Sequence, residues 1–283
     1  MTQIAAQLFT IRDFTKTRED FAASMAKIRD IGYQAVQVSQ IGDISDADVK
    51  RICDENGLTI CNTHVSVDDL LRKPDAVIEQ HRLWGARHVA IGGMPQEYRE
   101  SEAGFRRFAE VANGIGERLY EAGLTFSYHN HSFEFLRFGA RSGLELIFDE
   151  TDPRYVQAEL DTYWIQHGGA DPVVWIERMQ DRMPVIHLKD MVMLSPTLNP
   201  SPKMREGLSS APLPPRGGGA GGGVRPQQAF AEVGEGNMNF SGILAACQRI
   251  GVEWYAVEQD ICQRDPFESL AISYRNLRAM GLS

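Results

Sequence analysis

Four polar residues in the second half of the chain have types and spacings that suit a divalent metal ion: Glu134, Asp161, His187 and Glu258. The first three are 27 and then 26 residues apart, close to the roughly 30 residues of one strand–helix–strand unit. His187 and Glu258 are 71 residues apart, and setting aside a 35-residue segment rich in Pro and Gly leaves 36. Each residue is therefore expected at the end of a successive strand, at one height.

These side chains would be unstable together without a cation. Three carboxylates and one imidazole at one height repel one another and raise the carboxyl pKa values unless a positive charge neutralises them. Three oxygen donors and one nitrogen donor make a harder site than thiolate zinc sites, which favours Mn²⁺, with Mg²⁺, Co²⁺ and Zn²⁺ as alternatives. A single Asp or Glu is equally well explained by a structural ion pair, so the metal prediction depends on all four residues.

Eight short apolar segments could position these residues as strands of one sheet. They span residues 3–9, 35–39, 58–65, 88–93, 124–130, 156–161, 184–189 and 254–260. Amphipathic segments of helical period separate most of them, and glycines stand where helices should end, at Gly32, Gly57, Gly85, Gly123 and Gly251. This alternation predicts an α/β fold, a single (β/α)8 TIM barrel over residues 1–283, with an open doubly wound sheet as the alternative.

The strands of a parallel barrel bring their carboxyl ends to one rim, so other polar residues there should join the four. We predict that these residues contact a substrate: His64, His129, His131, Trp164 and Lys189. Each also has a plainer explanation. Such a histidine could be a buried residue with satisfied hydrogen bonds or could orient a metal ligand, Trp164 could pack in the core, and Lys189 could pair with Asp190.

One segment interrupts the alternation of strands and helices. Residues 194–228 are rich in Pro, Gly and Ser and contain too few apolar residues to cover a core. We expect this segment to be a flexible insertion after the seventh strand.

Composition narrows the class of protein. The net charge of −9 argues against a nucleic-acid-binding protein, which typically has a basic face. Four cysteines without paired spacing predict reduced thiols, and we find no apolar run of the ~18 residues that a membrane span needs. We therefore expect a cytoplasmic protein that binds neither nucleic acid nor membrane.

Five motifs suggest a family. They are YHNHSFEF at 128–135, ELDTYW at 159–164 with GGADP after it, HLKDM at 187–191, VGEG at 233–236 and VEQD at 257–260. Together they resemble the sugar phosphate isomerase/epimerase family, which has a xylose isomerase-like barrel. The resemblance to its ketose 3-epimerase branch implies one divalent ion held by Glu134, Asp161, His187 and Glu258, with the two glutamates also acting as acid and base. The insertion at 194–228 departs from the family pattern.

Such a site would transfer protons. A hydroxy-ketone bound through two oxygens to the ion has an acidified proton next to its carbonyl, because the ion stabilises the enediolate that forms. If Glu134 and Glu258 flank the substrate, one removes a proton and the other returns one, which gives epimerisation; return to the neighbouring carbon gives isomerisation. We therefore predict a metal-dependent isomerase or epimerase that acts on a small sugar, keto-sugar or sugar phosphate.

Three other functions remain open. The same enediolate could expel a hydroxyl group, which would make the protein a lyase or dehydratase acting on a keto-sugar or keto-inositol. An apurinic endonuclease would need further metal ligands and a DNA-binding face, and a sugar-binding protein would have lost catalysis. The sequence leaves open the sugar, the metal and the oligomeric state, although relatives are commonly dimers or tetramers.

Overall fold

The computed structural model describes residues 3–195 and 227–282. Its largest sheet has eight strands: β1 (Gln3–Gln7), β2 (Ala35–Val38), β3 (Thr59–Thr63), β4 (His88–Ile91), β5 (Thr125–His129), β6 (Val156–Asp161), β7 (Val185–Leu188) and β8 (Trp254–Val257). They are parallel, in the order β3–β2–β1–β8–β7–β6–β5–β4. A parallel bridge between His64 and Ala90 joins β3 to β4, so the sheet is a nearly closed barrel. The predicted TIM barrel is confirmed.

Ten α-helices lie among the described residues: α1 (Arg18–Ile31), α2 (Asp46–Glu55), α3 (Val67–Arg72), α4 (Pro74–Trp84), α5 (Glu102–Glu121), α6 (Gly143–Asp149), α7 (Thr162–His167), α8 (Pro172–Arg178), α9 (Phe240–Ile250) and α10 (Pro266–Ala279). Short 3₁₀ helices span Leu8–Phe14, Gln96–Tyr98 and Phe133–Phe135. Side-chain caps begin many helices; Thr17 and Ser45, for example, each accept a bond from the backbone N–H three residues on. None of the helices described is long and apolar enough to cross a membrane.

Small side chains fill the interior of the barrel below the rim. Ala5, Ala35, Cys61, Val185 and Ala256 form a buried cluster separate from the larger core. Because side chains alternate along a strand, the inward residue two positions further on lies one layer nearer the carboxyl rim. For Ala5, Ala35, Val185 and Ala256 the residue two positions further on is polar and buried: Gln7, Gln37, His187 and Glu258. The fold thus places a polar layer on an apolar one.

A two-stranded antiparallel hairpin follows β7 and extends beyond the rim. It pairs Asp190–Leu194 with Gln227–Ala231. Three residues of the predicted insertion at 194–228, Leu194, Gln227 and Gln228, belong to the hairpin. Residues 196–226 of the predicted flexible insertion lie outside the described residues.

Asp190 fixes the loop that follows this hairpin. Its Oδ2 accepts bonds from the backbone N–H groups of Gly234 at 2.9 Å and Gly236 at 3.0 Å. Its Oδ1 accepts from the N–H groups of Met191 at 2.7 Å and Met238 at 3.3 Å. A Cβ at Gly236 would lie 2.3 Å from Asp190 Oδ1, which explains the glycine. The VGEG motif is thus held by a single carboxylate.

We expect Asp190→Ala to lower the free energy of unfolding by about 2–3 kcal/mol, because it removes a buried carboxylate that accepts four backbone hydrogen bonds. Urea unfolding at neutral pH measures this difference. Glu235→Ala is the matched control, since Glu235 lies in the same loop with an exposed side chain. Equal stability of the two variants would contradict the anchoring role of Asp190.

Candidate active site

A cavity of about 650 Å³ opens at the carboxyl ends of the barrel strands. Six of the residues predicted for the site line it: His64, His129, His131, Trp164, Lys189 and Glu258. Arg12, from the 3₁₀ helix after β1, and Asp260, two residues past Glu258, also line it. The cavity therefore lies at the rim of the barrel, where we expected the polar residues at the strand ends to meet.

Four buried side chains lie close enough to hold one metal ion: His129, Asp161, His187 and Glu258. One ligand atom from each lies within 4.8 Å of the others. His129, Asp161 and His187 come from β5, β6 and β7, and Glu258 directly follows β8. Three of the four predicted ligands are thus together, and His129 is the fourth member in place of Glu134.

His187 directs one ring nitrogen to this group and the other to neighbouring acceptors. Its Nδ1 lies 3.0 Å from Glu258 Oε2 and 4.0 Å from Asp161 Oδ2. Its Nε2 lies 3.1 Å from Glu159 Oε1 and 2.9 Å from Gln37 Oε1. Burial alone would lower the His187 pKa, but the charges of Glu159 and Glu258 outweigh it and raise the pKa to about 10. His187 is therefore an imidazolium held in one orientation.

Lys189 supplies a second buried cation. Its Nζ lies 2.9 Å from Asp161 Oδ2, 2.8 Å from Glu258 Oε2 and 2.9 Å from Asp260 Oδ1. These carboxylates hold the Lys189 pKa well above its usual value despite burial. In turn the ammonium lowers the pKa values of Asp161 and Glu258 against the opposing effect of burial. We had considered an ion pair between Lys189 and Asp190 as an alternative. The Asp190 carboxylate instead accepts bonds from loop N–H groups.

The donors fit a divalent ion. The His129 ring is buried; among the described residues neither of its nitrogens has an aligned hydrogen-bond partner, and Nε2 lies 3.5 Å from Asp161 Oδ2. Burial and the nearby His187 charge lower the His129 pKa, so the ring is neutral and offers a lone pair. Two imidazole nitrogens and two carboxylate oxygens form a mixed set that Mn²⁺, Co²⁺ and Zn²⁺ accept. The partner of His187 on its far nitrogen, Glu159, has the position of a carboxylate that orients a metal-binding histidine.

Glu134 lies outside this group of four. Its Oε1 accepts from the Tyr128 hydroxyl at 2.6 Å, and its Oε2 accepts from the His131 backbone N–H at 2.9 Å. The Tyr128 ring packs against Phe108 and Phe148 of the helical layer. The chain turns through a 3₁₀ helix after β5, so the Glu134 carboxylate meets an outward-facing tyrosine, and burial raises its pKa to about 7.

The remaining predicted residues surround the group. His64 Nε2 lies 2.6 Å from Glu159 Oε2. The His131 ring lies 5.3 Å from the Trp164 ring, and burial together with the nearby His129 lowers the His131 pKa to about 3. Trp164 also contacts Phe230 of the hairpin at 5.9 Å between ring centroids. His131 and Trp164 line the cavity together with Lys189.

Sequence reasoning gave Glu159 no role, although it lies at the centre of the site. Its carboxylate contacts His64 and His187 and accepts a bond from Asn62 Nδ2. One signal was available, because Glu159 and Asp161 are two residues apart on one strand and must share a face. The same alternation directs Tyr128 outward and His129 inward.

Comparison with known proteins agrees with this fold. Residues 25–271 match the family model described as xylose isomerase-like TIM barrel. The chain is 28% identical over 198 residues to an inosose dehydratase of Lacticaseibacillus casei, covering 68% of this chain but only 59% of that relative. A sugar phosphate isomerase/epimerase structure from Parabacteroides distasonis has a TM-score of 0.76 at 22% identity, over 100% of this chain and 96% of that one.

A structure of L-ribulose 3-epimerase has a TM-score of 0.67 at 16% identity, over 99% of this chain and 94% of that one. At such identities the two solved structures show a shared fold. The family model covers far more than half of the sequence. The chain belongs to the xylose isomerase-like TIM barrel family.

Proposed function

We propose that this protein is a divalent-metal-dependent isomerase or epimerase that acts on a small sugar, keto-sugar or sugar phosphate. One observation carries the proposal: His129, Asp161, His187 and Glu258 offer clustered ligand atoms at the base of a cavity large enough for a sugar. Membership in the family supports it, since its structural neighbours include a protein named L-ribulose 3-epimerase.

Asp161, His187, Glu258 and His129 would hold the ion. When bound, a divalent ion acts as a Lewis acid that makes the proton next to a substrate carbonyl easier to remove. His187 must lose its proton to bind, so metal uptake should release protons from this protein.

Glu258 is our choice for the group that moves the substrate proton. It lines the cavity, and its pKa is held well below the usual value, so it is ionised and able to accept a proton. Lys189 lies 2.8 Å from it and can balance the negative charge that develops on the substrate oxygens. His64 and His131 line the cavity as donors or acceptors for hydroxyl groups, and Trp164 offers an apolar face to the sugar.

The second acid or base is less well placed. Glu134 stays our sequence prediction for this role, although its carboxylate is engaged by Tyr128 and His131. Asp260 lines the cavity 2.9 Å from Lys189 Nζ, and it is the carboxylate besides Glu258 that a substrate can contact there.

Dehydration of a keto-sugar or keto-inositol is the second candidate. The similarity to an inosose dehydratase favours this candidate. The same site could serve it, because dehydration and epimerisation both begin with removal of a proton next to a carbonyl. Incubation with candidate ketoses and keto-inositols in D₂O separates the two. Deuterium incorporation without net loss of substrate supports epimerisation or isomerisation, whereas formation of a dehydrated product supports the lyase.

Metal analysis tests the ligand set. We expect one divalent ion per chain in the purified protein and no deuterium exchange after its removal by a chelator. His129→Ala should weaken metal affinity by at least about tenfold, because it removes a neutral nitrogen donor. Glu134→Gln should leave the affinity nearly unchanged. The reverse pattern would make Glu134 the ligand and overturn the assignment of His129.

A further inference from the structure

We propose that Arg12 binds an anionic group, a carboxylate or a phosphate monoester, on a substrate whose reacting carbons lie at Glu258. The inference rests on the proposed function, because it assigns the reacting end of the substrate to Glu258 and Lys189. It specifies that the substrate is negatively charged, which the four candidate metal ligands alone do not determine.

The Arg12 guanidinium is held in place at the wall of the cavity. Its Nη1 donates to the backbone oxygen of Phe9 at 2.8 Å and to that of Asp260 at 3.1 Å. Its Cζ lies 4.2 Å from the centre of the Phe9 ring, so the ring covers one face of the guanidinium. The side chain is therefore ordered before any ligand binds, which lowers the entropy cost of recognition.

This ordered cation has no anionic partner among the residues that the structure describes. Among residues 3–195 and 227–282, no carboxylate lies within 4.0 Å of Arg12 in the manner of an ion pair, whereas Lys189 contacts three. Both hydrogen bonds of Arg12 use Nη1, so Nε and Nη2 of the planar fork have no bond to the described part of the chain. A guanidinium with this free edge suits the paired oxygens of a carboxylate or phosphate.

The charges of the cavity wall give the substrate a direction. The acidic residues that line it, Glu258 and Asp260, follow β8, and both contact Lys189. The side formed after β1, β2 and β3 contributes no carboxylate to the described lining; its polar residues are Arg12, Ser39, Gln40, His64 and Ser66. A substrate with its reacting carbons at Glu258 would therefore direct its other end toward a wall without carboxylates.

One residue of that wall, Gln40, has an unusual backbone conformation. Gln40 has a φ of 51°, a conformation that non-glycine residues rarely adopt, and its carbonyl oxygen accepts a bond from Lys16 Nζ at 3.2 Å. Such strained residues concentrate at binding sites, where the surrounding structure holds them. Gln40 and Arg12 line the same cavity, so strain and an unpaired cation coincide there.

Binding measurements with three ligands test the proposal. Isothermal titration of the metal-loaded full chain compares a neutral ketopentose, its 5-phosphate and a ketohexuronate. We expect at least one charged ligand to bind the wild type more tightly than the neutral one. Arg12→Met should weaken that binding by about 10–100-fold, as loss of hydrogen bonds to a charged group predicts, and should change neutral-ligand binding less than twofold.

Two further variants sharpen the result. Arg12→Lys keeps the charge but loses the fork, so it should recover only part of the affinity. Arg137→Met is the matched control, because Arg137 is exposed and does not line this cavity. The ligand most affected by Arg12→Met identifies the source of the anion, phosphate or carboxylate.

Binding of all three ligands with equal affinity by the wild type, or equal loss with neutral and charged ligands in Arg12→Met, would overturn the proposal. So would failure of both charged ligands to bind. These outcomes differ from failure of the proposed function, which would appear as absence of metal or of deuterium exchange in the wild-type protein with any ligand.

Discussion

Glu258→Gln is expected to reduce deuterium exchange at the substrate carbon by about 10²–10⁴-fold, the usual contribution of a general base. Glutamine keeps the size of the side chain but cannot accept the proton. It also removes a negative charge from the oxygen that lies 3.0 Å from His187 Nδ1 and 2.8 Å from Lys189 Nζ. Metal affinity should therefore fall in the same variant, because one of its anionic donors becomes a neutral amide.

The matched control for this prediction is Glu253→Gln. Glu253 directly precedes β8, at the opposite end of the strand, where its carboxylate lies 3.3 Å from His88 Nε2. This variant should exchange deuterium like the wild type. Thermal unfolding of both variants with added Mn²⁺ separates loss of chemistry from loss of structure. A folded Glu258→Gln protein that exchanges deuterium at the wild-type rate would remove Glu258 from the mechanism.

The eight strands could be predicted because they are continuous apolar segments separated by helices. Each predicted segment contains an observed strand; β6 spans the whole of its segment, and the other seven strands are shorter than predicted by one to three residues. Several residues trimmed at the carboxyl ends are polar, such as Asn130 after β5 and Lys189 after β7. Where apolar periodicity ends, the chain has left the sheet and entered the site.

The spacing of residues along the sequence predicted the height of each side chain on the rim but not the direction in which the side chain points. Asp161 and His187 lie opposite each other in the register of β6 and β7, as equal spacing requires. Glu134 lies five residues beyond the end of β5, and a 3₁₀ helix formed by Phe133–Phe135 determines where its carboxylate is directed. That turn depends on tertiary contacts with Tyr128, which periodicity does not encode. Alternation within β5 directs His129 inward, toward Asp161.

The balance of charge at the site also depended on contacts that sequence did not reveal. We predicted that a metal must neutralise the carboxylates, yet Lys189 and His187 already place two cations among Glu159, Asp161, Glu258 and Asp260. Four carboxylates against two cations leave an excess of two negative charges when all are ionised. A divalent ion that binds after His187 has lost its proton would lower this excess to one negative charge.

Lys189→Met is expected to lower the free energy of unfolding of the metal-free protein by about 3–5 kcal/mol. Removal of one member of a buried ion pair leaves its partners uncompensated, and Lys189 contacts three carboxylates. Mn²⁺ should restore more stability to this variant than it adds to the wild type, since ligand binding to the folded state stabilises it by mass action. Urea unfolding with chelator and with Mn²⁺ measures both differences.

Lys50→Met provides the control, because Lys50 pairs with Asp54 on the surface at 2.5 Å and such pairs contribute about 0–1 kcal/mol. Its stability should not depend on Mn²⁺ more than that of the wild type. The ammonium of Lys189 lies against Asp161 Oδ2 and Glu258 Oε2, oxygens that the ion would also use. The ion and the ammonium therefore compete for the same charge, and Lys189→Met should bind Mn²⁺ more tightly than the wild type. Weaker binding in this variant would show instead that the ammonium helps to shape the metal site.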